Sequence, residues 1–250
     1  MRVTWWGHST VTLDVSGVRI LTDPALTGQV AHLWRRRGPV PAHDARQADV
    51  VLVSHLHADH LHLPSLRLVS RRARLVLPAG GEGLVRRSGH PLRPIDVGGR
   101  VRVRDFTVTA VAAAHDGRRS PVSRFRGPAL GYLIETPDAR VWFAGDTDLH
   151  ESFAGLGPVD LALVPVGGWG PTLGTGHLDP ERAAEAVRRV GARAAIPIHY
   201  GTLWPRGMSR VGTDRFLGPG REFAERAADV APDCRVVILD PGDTWTVGSG

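Results

Sequence analysis

Lysine is absent from this 250-residue chain, so all 31 of its cationic side chains are arginines. Set against 25 acidic residues they leave a formal charge of +6. The isoelectric point of 10.9 is high because guanidinium does not titrate in the accessible range. Cysteine is nearly missing too: Cys234 stands alone, which excludes an intramolecular disulfide and a thiolate metal cluster. No apolar run approaches the roughly 18 residues of a membrane span. The first residues lead straight into strand-like alternation, without the apolar stretch and cleavage site of a secretory signal, so a cytoplasmic location is expected. The sequence also lacks a composition break and an internal repeat, and residues 1–250 are expected to form one domain. Arg35-Arg36-Arg37 is the longest basic run, and no aromatic residues interleave with it. It reads as a solvated loop, so nucleic acid is not favoured as a partner, and the charge gives only a slight lean towards anionic substrates.

What the chain does hold is a succession of short apolar runs. Val11, Leu13 and Val15 alternate with polar residues, Ser16-Gly17 turns, and Val18 and Ile20 resume the period of two, as in a β-hairpin. Residues 24–48 lose all periodicity and read as a long loop over a site. Residues 50–53 and 161–164 are continuous buried-strand runs, and further strands are expected at 75–77, 106–113, 130–135, 141–144, 194–198 and 235–239. A helix is expected over 63–72. A second helix has Asp179 as N-cap, Pro180 at its first position and Gly191 as its stop, with Ala183, Ala184, Val187 and Val190 on one face. A third runs over 220–230, with Phe223, Ala224 and Ala227 inward. Strands interleaved with helices make the class mixed α/β.

The chemistry is concentrated in Ser54-His55-Leu56-His57-Ala58-Asp59-His60, directly after a buried strand. Neutral imidazole and carboxylate suit zinc and similar divalent ions. The spacing differs from a helical His-Glu-x-x-His site: His55 and His57, two apart in a loop, could share one ion while Asp59 and His60 turn to a second. His115, Asp146 and His199 each stand where an apolar strand runs out, the position at which sheets present functional groups along one rim. Together they make seven potential ligands, enough for two ions with a position left for water.

The order His55-x-His57-x-Asp59-His60, His115, Asp146, His199 resembles the metallo-β-lactamase superfamily. That resemblance implies an αββα sandwich of two packed mixed sheets flanked by helices. It also implies two divalent ions, zinc first, with manganese or iron as alternatives. One would be held by His55, His57 and His115, the other by Asp59, His60 and His199, with Asp146 bridging. Trp6-Gly7-His8-Ser9, Leu21-Thr22-Asp23-Pro24, Gly176-His177-Leu178-Asp179-Pro180 and Ile198-His199-Tyr200-Gly201-Thr202 are similar to a narrower branch, that of ascorbate-6-phosphate lactonases and N-acyl-phosphatidylethanolamine phospholipase D.

A metal-dependent hydrolase acting on a phosphodiester, lactone or ester of an anionic small molecule is therefore expected, with a metal-bridging hydroxide as nucleophile. Asp59, Asp146 and His177 are the candidate catalytic residues, His177 as proton donor to the leaving group or as a capping residue. His8 and Asp23 are expected to hydrogen-bond the ligand imidazoles. Arg118, Arg119, Arg124 and Arg126 are candidates for phosphate or solvated loop residues, and Trp169 and Trp204 for pocket lining or core. The alternatives are a nuclease-type phosphodiesterase, an iron oxidoreductase on the same scaffold, and a metal-bearing binding module without turnover.

Overall fold

The computed structural model describes residues 1–208 and 210–247. Two seven-stranded sheets dominate it. Across the first, the order is Thr244–Thr246, Arg2–Gly7, Thr10–Val15, Val18–Thr22, Val50–Leu52, Arg74–Pro78 and Leu92–Ile95. Across the second it is Arg235–Val236, Ala194–Ile198, Leu161–Pro165, Arg140–Phe143, Leu130–Glu135, Phe106–Ala112 and Arg100–Val103. Both are mixed. The meander Arg2–Thr22 pairs antiparallel and then continues in parallel through Val50–Leu52 and Arg74–Pro78. The second sheet changes from antiparallel to parallel pairing after Arg140–Phe143.

The period-two geometry of a strand explains the layering, because successive side chains leave opposite faces. Ile20, Val50, Leu52 and Val76 enter the core between the sheets, where they meet Val108, Tyr132, Ile134 and Phe143. Their neighbours Leu21, Val51, Leu75 and Leu77 point the other way, into a separate cluster with Leu66, Val69 and Val85. Strands buried on both faces thus need a covering layer on each side, which gives the αββα sandwich. On the far side of the second sheet lie helices Pro180–Val190 and Pro219–Val230. The first is capped as expected: the Asp179 carboxylate accepts from the Arg182 amide at 2.8 Å, and Gly191 closes it with a left-handed φ of 66°. In the second, Phe223 and Ala227 are fully buried and Ala224 partly so. Among the described residues no helix is long and apolar enough to cross a membrane.

Three expectations are corrected. Residues 63–72 form a single helical turn, Leu63–Leu66. The carbonyl of Leu66 is taken by the His90 imidazole at 3.1 Å, and the amide of Ser70 donates to Arg46 O at 2.9 Å, so the next helical hydrogen bond has neither partner free. The strand at 235–239 is regular only over Arg235–Val236. The stretch 24–48 is not purely a loop: Leu33–Arg35 pairs with Gln29–Val30 on one side and with Leu203–Pro205 on the other, as a small third sheet.

Within that segment the basic run is turned onto the protein's own groups. Arg35 is mostly buried and donates to Trp6 O and Ala25 O, both at 2.8 Å, and burial lowers its pKa to about 10. Arg36 lies 4.6 Å from the centre of the Phe216 ring, and Arg37 pairs with Asp240.

One polar contact joins the sheets beneath the His-rich loop. The buried hydroxyl of Tyr132, in the second sheet, donates to Val53 O at 2.7 Å at the end of a first-sheet strand. Replacing Tyr132 by Phe leaves that buried carbonyl without this donor, and equilibrium denaturation should show a loss of about 1–2 kcal/mol.

Candidate metal centre

The candidate ligands, with His8 and Asp23, stand just past the C-terminal ends of strands. His8 follows Arg2–Gly7, Asp23 follows Val18–Thr22, and Ser54–His60 follow Val50–Leu52. From the second sheet come His115 after Phe106–Ala112, Asp146 after Arg140–Phe143 and His199 after Ala194–Ile198. Packing the two sheets face to face brings these ends to one rim. Gly145 makes the turn into Asp146 with φ of 63°; a Cβ there would lie 2.6 Å from Leu130 O and 2.8 Å from the Ser54 Cβ. His8, Asp23 and His199 also have left-handed backbone, with φ of 52°, 30° and 61°.

All seven residues expected to bind metal come together. One group joins His55, His57 and His115, another His8, Asp59, His60 and His199, and their possible ligand atoms lie within 4.8 Å of one another in each. His55, His60 and Asp146 form a group spanning the two.

The outer nitrogen of four of these rings has a partner that fixes its proton. His115 Nδ1 donates to Gly176 O and His199 Nδ1 to Gly167 O, each at 2.8 Å. His60 Nδ1 faces the Asp23 carboxylate at 2.7 Å. Ser54 Oγ gives its own hydrogen to Asp23 at 2.6 Å, so it accepts from His55 Nδ1 at 2.9 Å. Neutral imidazole has one N–H, so the inner Nε2 of His55, His115 and His199 presents a lone pair, and that of His60 does so in its neutral form. The inner nitrogens crowd together. His60 Nε2 and His199 Nε2 are 3.2 Å apart, and His57 Nδ1 lies 2.9 Å from His55 Nε2 and 3.3 Å from His115 Nε2. Asp146 Oδ2 stands 3.1 Å from His60 Nε2 and 3.2 Å from His199 Nε2, while its buried Oδ1 has no hydrogen-bond partner. Such a donor set, with a buried carboxylate oxygen of Asp146 left without a partner, fits divalent cations.

The titration behaviour agrees. Burial pushes His55 well below the usual histidine value, lowers His57 and His115, and brings His199 down to about 3. These rings are therefore neutral, as ligands must be. Burial opposes charge on His60 as well, but the carboxylates of Asp146, Asp59 and Asp23 outweigh it and hold that pKa well above its ordinary value. Burial likewise disfavours ionised Asp59 and Asp146, yet the surrounding imidazoles keep both well below the usual carboxylate range. Positive charge is wanted at this spot.

A family model described as a β-lactamase superfamily domain matches residues 18–200. The chain belongs to the β-lactamase superfamily. A metal-dependent hydrolase of Nitratidesulfovibrio vulgaris is 30% identical over 259 residues, covering 98% of this chain and 95% of the relative. An N-acyl-phosphatidylethanolamine-hydrolyzing phospholipase D of Caenorhabditis elegans is 27% identical, over 97% of this chain and 74% of its own length. A metallo-β-lactamase fold protein from Bacillus subtilis superposes with a TM-score of 0.68 at 16% identity, over 98% of both chains. The architecture is the metallo-β-lactamase fold, and the chain is a metal-dependent hydrolase of that superfamily.

Around the cluster of this superfamily member, the supporting residues fall into place unevenly. Asp23 holds His60 as expected and also accepts the Ser54 amide at 2.7 Å. His8 instead holds a carboxylate, with its Nε2 3.1 Å from Asp59 Oδ2, and its ring lies 4.2 Å from that of His199. His177 reaches the rim with Nε2 3.5 Å from Asp146 Oδ2. His62 bonds Ser65 Oγ at 2.7 Å, outside the cluster. Trp204 is core, whereas Trp169 lines the cavity above the cluster. Sequence reasoning missed His32, which lines that cavity too, because its segment has no periodicity.

Replacing Asp23 by Asn leaves one oxygen to accept from Ser54 N, Ser54 Oγ and His60 Nδ1. Zinc affinity, read by chelator competition, should fall by about 10–100-fold, with circular dichroism unchanged.

Proposed function

We propose that the chain is a dinuclear hydrolase of a small-molecule ester, lactone or phosphodiester. His55, His57 and His115 would hold one ion and Asp59, His60 and His199 the other, with Asp146 between them. The observation that carries this reading is the inward direction of the ring nitrogens, fixed by Gly176 O, Gly167 O, Asp23 and Ser54 on their outer sides. Imidazole with carboxylate favours zinc, and manganese and iron suit the same donors. Bound there, two ions would supply Lewis acidity and lower the pKa of water towards about 7.

The chain's own residues supply the rest. His177 points Nδ1 at the carbonyls of Gly174 and Thr175, both at 3.2 Å, so its Nε2 faces Asp146 and the cavity. Burial works against charge on His177, but the bond and the charge of Asp146 win and raise its pKa. A ring that keeps its Nε2 proton beside the reacting bond is suited to protonate the leaving group. His8 fixes the rotamer of Asp59. Of the four candidate phosphate-binding arginines, only Arg119 lines the cavity. Arg118 pairs with Asp116, and Arg124 lies over the Phe125 ring. The anionic substrate expected from net charge therefore draws no support from them.

Dialysis against a chelator should abolish turnover of bis-p-nitrophenyl phosphate or a p-nitrophenyl ester, and zinc or manganese should restore it with about two ions bound per chain. Full activity of metal-free protein overturns the reading. His177→Ala should lower kcat by about a hundredfold or more while metal content stays the same.

A further inference from the structure

The cluster forms the floor of a cavity of about 550 Å³, within the size range of small-molecule sites. Its floor is polar, with His57, Asp59, Asp146, His177 and His199, but its walls are not. Leu33, Trp169, Pro171, Leu173, Pro205 and Met208 line them. The indole of Trp169 is 37% exposed, on a stretch in which Gly167, Gly168 and Gly170 surround it, and its face is steadied by edge-to-face contact with His32 at 4.7 Å. A large apolar side chain left open beside a reactive centre is a binding surface rather than packing. Met208 adds an unbranched side chain that adapts to what it touches.

Charge gives the complementary argument. Apart from the groups of the cluster and His177, Arg119 brings the only charged side chain among the described lining residues. Its Nη1 is occupied, donating to Leu61 O at 2.7 Å and Leu56 O at 3.0 Å, where it braces the ligand loop. An anionic group projecting from the reacting bond would lose its water against the proline, leucine and methionine of the walls.

We infer that the substrate presents a neutral aliphatic or aromatic group to this cavity, and that Trp169 selects for it. This deepens the hydrolase reading by naming the substrate class: a neutral ester or lactone with an apolar substituent. Water is added across the acyl C–O bond, giving a carboxylic acid and an alcohol from an ester or one hydroxy acid from a lactone, with no other reactant.

Two measurements test it separately from the hydrolase reading. With zinc- or manganese-loaded enzyme, kcat/KM for p-nitrophenyl esters should climb from acetate to octanoate by up to about fourfold per buried methylene until the cavity is filled. It should stand well above that for p-nitrophenyl esters ending in a carboxylate or phosphate. Trp169→Ala should reduce the octanoate-to-acetate ratio by about tenfold. A flat series, or a preference for the anionic esters, overturns the inference while leaving hydrolysis intact. Calorimetry with octanamide, acetamide and inorganic phosphate on the same protein, with and without metal, needs no turnover. Octanamide should bind at least tenfold more tightly than acetamide, and this margin should shrink in Trp169→Ala. Equal binding of the two amides overturns the apolar site even if esters are cleaved. Absence of all turnover alongside selective octanamide binding removes the hydrolase reading and keeps the site.

Discussion

Imidazole nitrogens gathered within about 3 Å of one another at the rim are the constraint on which this structure turns. A protein interior does not gather such polar atoms without holding each in place, because a buried acceptor left unpaired costs free energy. The chain anchors four of these rings from behind. Backbone carbonyls hold His115 and His199, a carboxylate holds His60, and a hydroxyl oriented by that same carboxylate holds His55. The arrangement is therefore set by hydrogen bonds that do not involve an ion, and it presents coordination geometry ready made. Preorganisation of this kind is what a metal site needs to hold its donors within a fraction of an ångström.

The fold serves that arrangement by bringing strand ends together. Neither sheet alone carries both groups: the first contributes the loop from His55 to His60, the second His115, Asp146 and His199. The sandwich core is thus the device that assembles the site, and the contacts that cross it near the rim set its accuracy. Tyr132 to Val53 is one such contact. The amide of His199, which donates to His8 O at 2.9 Å, is another, and it ties the two rims directly. Arg119 adds a third, from the segment after His115 back onto the carbonyls of the ligand loop.

Much of this was legible in the sequence, for identifiable reasons. Helix Pro180–Val190 was visible because Asp179, Pro180 and Gly191 act locally and its apolar face has a full three turns to show itself. The ligands were visible because four coordinating groups within six residues have no ordinary structural use, and because His115, Asp146 and His199 each close an apolar run. The third sheet was not, since strands of two or three residues such as Gln29–Val30 and Leu33–Arg35 are too short to establish a period. The truncated turn at Leu63–Leu66 was hidden for a different reason: it is ended by His90 and Arg46, both distant in sequence. The arginines misled in the same way. Only the structure reveals that Arg35 and Arg119 are taken up by backbone carbonyls, so charge counted along the chain overstated what the cavity offers an anion.

The left-handed backbone at His8, Asp23 and His199 has a bearing on how this site can change. Outside glycine, that conformation is adopted with least penalty by asparagine, aspartate and histidine, and β-branched residues resist it. A newcomer at any of these three places must first suit the chain's path before its functional group matters at all. The repertoire open to drift is accordingly narrow there, and a like condition reaches the cavity walls at Ala31 and Gly170, whose φ of 53° and 127° are also positive.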